Sequence, residues 1–103
     1  MAPQEFEVNS VRKRSLSDRH DHITHIGNNL DRWMMTAEDA MKRIESCGDA
    51  FYVVDRTIGK RAYVGVVWGD GSRPPYLRTR INGDWRDDLL AQRRCDEGCQ
   101  LIA

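Results

Sequence analysis

"TAEDAMKRIESCGDAFYVVDRTIGKRAYVGVVWG", residues 36–69, carries two kinds of regular structure in one run. Its first part has the chemistry of a helix. Thr36 is a good N-cap, Glu38 and Asp39 place negative charge at the positive end of the helix dipole, and Gly48 suits a left-handed stop. Ala37, Ala40, Met41, Ile44 and Cys47 recur at the spacing of one buried face, whereas Lys42, Arg43 and Glu45 point elsewhere. The pattern predicts a helix over about residues 36–47. The second part changes to β-branched and aromatic residues. "AFYVVD" and "KRAYVGVVWG", joined by "RTIG" with Gly59, predict an antiparallel hairpin. Tyr63, Gly65 and Val67 alternate with Val64, Val66 and Trp68. Both sets are fairly apolar, which puts this strand inside the sheet, and Gly65 leaves room for a large neighbour.

On the N-terminal side, "HITHIGN" reads as a short strand ended by Gly27-Asn28-Asn29. Residues 1–20 have no apolar periodicity and mix charge with serine in "VRKRSLSDRH", so they read as a flexible N-terminal arm that Phe6, Val8 and Val11 can lay along the body. On the C-terminal side, Pro74-Pro75 leads into a strand, "YLRTRI", and Asn82-Gly83 signals a tight turn. "DWRDDLLAQRR" then predicts a short helix or an irregular segment anchored by Leu89 and Leu90. The expected fold class is α+β: one main helix packed on a mostly antiparallel sheet of about four strands, in a single domain over residues 21–103.

Composition sets the limits. The chain has 103 residues, 40% hydrophobic and 31% charged, enough for one modest core. Sixteen Lys and Arg balance sixteen Asp and Glu, so no overall field draws the protein to nucleic acid or to a membrane. The charge is uneven, however: residues 56–94 carry nine basic and four acidic side chains. No apolar run approaches the roughly 20 residues of a membrane span, and "MAPQEFEVNSVRKR" lacks the apolar core of a secretory signal, so a cytoplasmic protein is expected. Cys47, Cys95 and Cys99 then read as reduced thiols, with a Cys95–Cys99 bridge as the exception.

The order "ITHIGN", "TAEDA", "FYVVD", "VGVV" and "YLRTRINGDWRDDLLAQRRC" resembles a family of small bacterial proteins known only as a domain of unknown function. The resemblance spans residues 22–95 and is most specific at Tyr76, Leu77, Arg78 and Thr79. The chain departs from the family pattern at Asp88, where an Asn is expected, and at Arg93-Arg94, where Leu-Pro is expected. The resemblance implies no activity.

Strand alternation puts Tyr76, Arg78 and Arg80 on one face and Leu77, Thr79 and Ile81 on the other. Two guanidinium groups about 7 Å apart beside a phenol can hold a phosphate, a nucleotide or an acidic protein loop. The bland alternative is a solvated strand face with cross-strand salt bridges. The leading expectation is a noncatalytic binding module whose face is built from Tyr76, Arg78, Arg80, Arg61, Arg73 and Trp85. An acidic protein surface or a second copy of the chain would be its partner, and no cofactor is expected. Nucleic-acid or nucleotide binding through the same face is the alternative, with Trp68 and Trp85 available for stacking. A second alternative is a metal-dependent small enzyme or zinc-stabilised domain using His20, His22, His25, Cys95 and Cys99 or the carboxylates Asp84, Asp87 and Asp88. For those carboxylates the simpler reading is that Asp84 caps a short helix and Asp87 favours its positive end.

Overall fold

A computed structural model describes residues 4–14, 22–69, 74–95 and 97–102. Its elements run β1 (Glu5–Glu7), β2 (Ser10–Lys13), β3 (Ile23–Asn28), β4 (Trp33–Thr36), α1 (Ala37–Lys42), β5 (Ala50–Asp55), β6 (Lys60–Val67), β7 (Tyr76–Ile81), β8 (Asp84–Arg86), β9 (Arg93–Arg94) and β10 (Gln100–Leu101). They form two five-stranded sheets, ordered β1-β5-β6-β7-β8 and β10-β4-β3-β2-β9. The expected α+β arrangement, one main helix on about four strands, is therefore wrong. The protein is mostly β, with one short helical segment. Extra strands of two to four residues account for the difference, because they are too short to show a period of two.

Residues 5–7 and 10–13, read from the sequence as part of a flexible arm, are strands that join both sheets. The chain changes sheet between two neighbouring residues: Val8 N donates to Tyr52 O of the first sheet (2.7 Å), and Asn9 N donates to Gly27 O of the second (3.0 Å). Asn28 holds this corner. Its side-chain amide donates to Glu7 O at 3.0 Å, and its Oδ1 accepts from Leu30 N at 2.9 Å and Asp31 N at 3.0 Å. A carboxamide buried with these partners fixes the strand corner and the following turn together.

The core fills the space between the sheets. Phe51, Val53, Ala62, Val64 and Leu77 come from the first sheet, and Val11, Ile26 and Met35 from the second. Phe6 stacks on Phe51 with centroids 5.3 Å apart and meets the Trp33 ring edge-on at 5.7 Å. The helix α1 contacts β3, β4 and β7, so it closes one end of this space rather than forming a layer. Its start follows the sequence pattern, with Thr36 Oγ1 accepting from Asp39 N at 3.1 Å. It continues as a π-helical turn over Arg43–Cys47 and stops at Gly48, whose φ is 70°. The wider winding shifts the face, so Cys47, expected on the buried side, is exposed. "DWRDDLLAQRR" is not helical: Asp84–Arg86 is a strand, turns follow, and Leu89 is fully buried.

The C-terminal segment straps the second sheet. β9 pairs with β2 on one edge and β10 with β4 on the other, so the chain between them crosses β3. Cys95 and Cys99 are buried on this crossing. Cys95 Sγ lies 3.4 Å from Ser10 Oγ, and Cys99 Sγ lies 3.2 Å from Asn29 Oδ1. Gly27 leaves room for both β4 and the crossing, because a Cβ there would sit 2.5 Å from Trp33 O of β4 and 3.1 Å from Cys95 Sγ. Gly98, in contrast, has open space around it. Gly27→Ala is expected to cost about 2 kcal/mol in urea unfolding through overpacking, while Gly98→Ala stays within about 0.5 kcal/mol. Equal stability of the two variants would contradict this close packing around Gly27.

Candidate functional site

The first sheet keeps one face for the core and leaves the other uncovered by any described element. Register assigns the outer side chains. Tyr52, Tyr63, Arg80 and Trp85 are successive cross-strand partners on β5, β6, β7 and β8, and Glu7 continues the row on β1. At the usual strand spacing, the row from Tyr52 to Trp85 is roughly 14 Å long. Gly65 pairs with Arg78, Val67 with Tyr76, and Val54 with Arg61 on the same face. The alternation read from "YLRTRI" is correct, since Leu77 and Thr79 are buried on the opposite side.

Close approach orders this surface. A Cβ on Gly65 would lie 3.2 Å from Trp85 Cη2 and 3.6 Å from Arg80 Nε, so the missing side chain is the space the indole occupies. The Arg80 guanidinium lies over that indole, 5.4 Å from its centroid, and together they form a planar cation–aromatic pair. Trp85 and Tyr63 remain 39% and 38% exposed.

At the other end, Tyr52 and Tyr63 have ring centroids 6.0 Å apart, and the Arg61 guanidinium sits 4.2 Å from the Tyr52 centroid. Glu5 links the group, accepting from Tyr63 Oη at 3.1 Å and from Arg61 Nη1 at 3.4 Å. Hydrogen bonding to the Tyr63 side chain is the largest influence raising the Arg61 pKa above its ordinary value.

Arg78 is held more tightly than its neighbours: Nε donates to Arg86 O and Nη2 to Asp87 Oδ1, each at 3.1 Å. The face is thus partly a set of cross-strand pairs, with the aromatic–arginine row running across it. Of the residues singled out from sequence, Tyr76, Arg78, Arg80, Arg61 and Trp85 share this face. Arg73 lies outside the described residues, and Trp68 lies beyond the end of β6, 65% exposed. Sequence reasoning missed Tyr52, Tyr63 and Glu5. Alternation places Tyr63 on a face, but only the β5–β6–β7 register brings it level with Arg80.

The other candidates are dispersed. Among the described residues no three His, Cys, Asp or Glu side chains gather as a metal-ligand set. His20 lies outside the described residues, His25 Nδ1 is 2.9 Å from Thr24 Oγ1, and Cys95 and Cys99 are packed beneath the strap. Asp84 and Asp87 cap no helix, contrary to the sequence reading: Asp84 begins β8, and Asp87 pairs with Arg78. Asp88 belongs to an ion cluster on the inner side of β8, where Arg86 contacts it at 2.7 Å and also contacts Asp55 from the far hairpin. Hydrogen bonding to Asp88 is the largest cause raising the Arg86 pKa. This cluster ties β5 to β8 across the open end of the sheet. None of the described helices is long and apolar enough to cross a membrane.

A family model described as "Protein of unknown function (DUF3892)" matches residues 7–91. No curated protein and no solved structure matches the chain.

The packing of Trp85 over Gly65 is directly testable. Gly65→Val is expected to push the indole away, moving the Trp85 Nε1–H resonance while leaving that of Trp33 in place, at a stability cost of about 1 kcal/mol. An unmoved Trp85 resonance would show that the ring does not rest there.

Proposed function

The chain belongs to the DUF3892 family of proteins of unknown function, and from that premise we propose that it is a noncatalytic binding module working through the outer face of its first sheet. The supporting observation is the row Tyr52–Tyr63–Arg80–Trp85, set level across four strands on an uncovered face. Tyr, Trp and Arg combine large contact area with a polar group at the rim, which is why such residues dominate the energetics of protein interfaces. The edge strands of this sheet, β1 and β8, are three residues each and offer little backbone for adding another strand. Recognition through the face therefore fits the architecture better than recognition through an edge.

The favoured partner is a protein surface with acidic groups opposite Arg80 and Arg61. A second copy of the chain meets the same requirement, since Glu5 and Glu7 border one side of the face and the arginines occupy its middle. One observation favours a second reading. Three rings spread along one row suit the stacking of successive bases, with arginines near the phosphates, as in sheet surfaces that bind single-stranded nucleic acid.

A pull-down from lysate with the tagged full chain, run with and without nuclease, separates the two. The protein-binding reading expects a retained protein that survives nuclease, with recovery reduced at least ~tenfold by Arg80→Glu combined with Trp85→Ser. Both side chains lie on the outer face, opposite the core. Retention equal to wild type in the double variant would refute the face as the binding surface. Loss of all material on nuclease treatment, with binding that weakens steeply as salt rises, would favour the nucleic-acid reading.

A further inference from the structure

A cavity of about 420 Å³ opens beside the β2–β3 pair of the second sheet, away from the aromatic row. Its lining includes Arg12, Lys13, Thr24, His25, Gln92 and Arg94. Consecutive residues of a regular strand point to opposite sides, yet Arg12 and Lys13 both line this space. The β2–β3 register shifts between these two residues, and such a bulge re-aims a side chain. Arg94 joins them from the far end of the chain, because β9 pairs with β2 and sets Arg94 opposite Val11. Three cations from two distant segments thus border one cavity. Among the described residues, no carboxylate forms an ion pair with any of the three.

Arg12 supplies the second, independent observation. Its Nε is buried and, among the described residues, has no hydrogen-bond partner. A buried N–H donor of a charged group left unsatisfied is costly, and an anion drawn to the Arg12 guanidinium from the cavity would offset that cost. His25 faces Arg12 across the strand pair. Burial first, and the Arg12 charge second, hold the His25 pKa below its ordinary value, so the ring is neutral at pH 7 and available as a hydrogen-bonding wall.

We propose that this cavity binds a small phosphate monoester, with the phosphate held by Arg12, Lys13 and Arg94 and the hydroxylated carbon portion beside Thr24 and Gln92. The charge count favours phosphate over a single carboxylate. A monoester is close to doubly charged at neutral pH and presents three terminal oxygens, enough for donors arriving from three side chains. The cavity volume falls within the range that holds small molecules and exceeds what a bare anion needs. The proposal is independent of the outer-face reading, which concerns the other sheet.

The test is an NMR titration of the ¹⁵N-labelled full chain with glycerol 3-phosphate, with glycerol run in parallel. Saturable shifts at Arg12, Lys13, Thr24, His25 and Arg94, absent with glycerol, are expected. Arg94→Gln, at an exposed position on an edge strand and so without consequence for the fold, is expected to weaken binding at least ~tenfold, and Arg12→Gln by as much or more. Shifts that fail to saturate, equal shifts with glycerol, or unchanged affinity in Arg94→Gln would each overturn the proposal.

Discussion

Two adjacent amides join the two sheets. Val8 N gives its hydrogen bond to the first sheet and Asn9 N to the second, so the strand from Glu5 to Lys13 belongs to both. Val8 and Val11 are buried among the core residues contributed by each layer. The Asn28 carboxamide, bonded to Glu7 O on one side and to the turn amides on the other, leaves the corner little freedom to slide. A slip of one residue would turn Phe6 and Val11 out of the core and bring Glu7 and Arg12 in, which fixes the register strongly.

That corner determines which surfaces remain open. The second sheet has its outer face crossed by the C-terminal strap, and Ser10, Gly27 and both buried thiols lie beneath it. The first sheet has no such cover among the described residues, and there the aromatic–arginine row is left on the surface. The basic cavity has the same origin. β2 pairs with β3 through a bulge and with β9 at its other side, so the strand that ties the sheets together also collects Arg12, Lys13 and Arg94. A chain with no net charge can in this way carry local regions of one sign.

Elements specified by local chemistry were legible in the sequence. Thr36 caps the helix, Gly48 ends it, and the 50–67 hairpin and the Asn82-Gly83 turn, with φ of 53° and 86°, are where the residue types require them. Elements that depend on long-range pairing were not. "WMMT" forms β4 immediately before the helix cap, and the pairs Arg93–Arg94 and Gln100–Leu101 are strands only because β2 and β4 stand ready to pair with them. The charge and serine of residues 10–14 concealed a strand whose burial comes from the opposite sheet. The same division holds for the site. Alternation reveals the Tyr76–Arg78–Arg80 face, and a glycine inside a strand signals the room that Gly65 leaves for a large neighbour. Joining Tyr52 and Tyr63 to Arg80, or Arg94 to Arg12, requires a register that no local pattern encodes.

Amide hydrogen exchange on the full chain shows whether one strand near the N-terminus holds both sheets. If it does, the Val8 and Asn9 amides exchange as slowly as those of Phe51 and Val53, because opening either one frees the corner from one of the sheets. Fast exchange at Val8 and Asn9 while the β5 and β6 amides stay protected would show instead that this strand is a loosely docked arm, and the two-sheet architecture built on it would not stand.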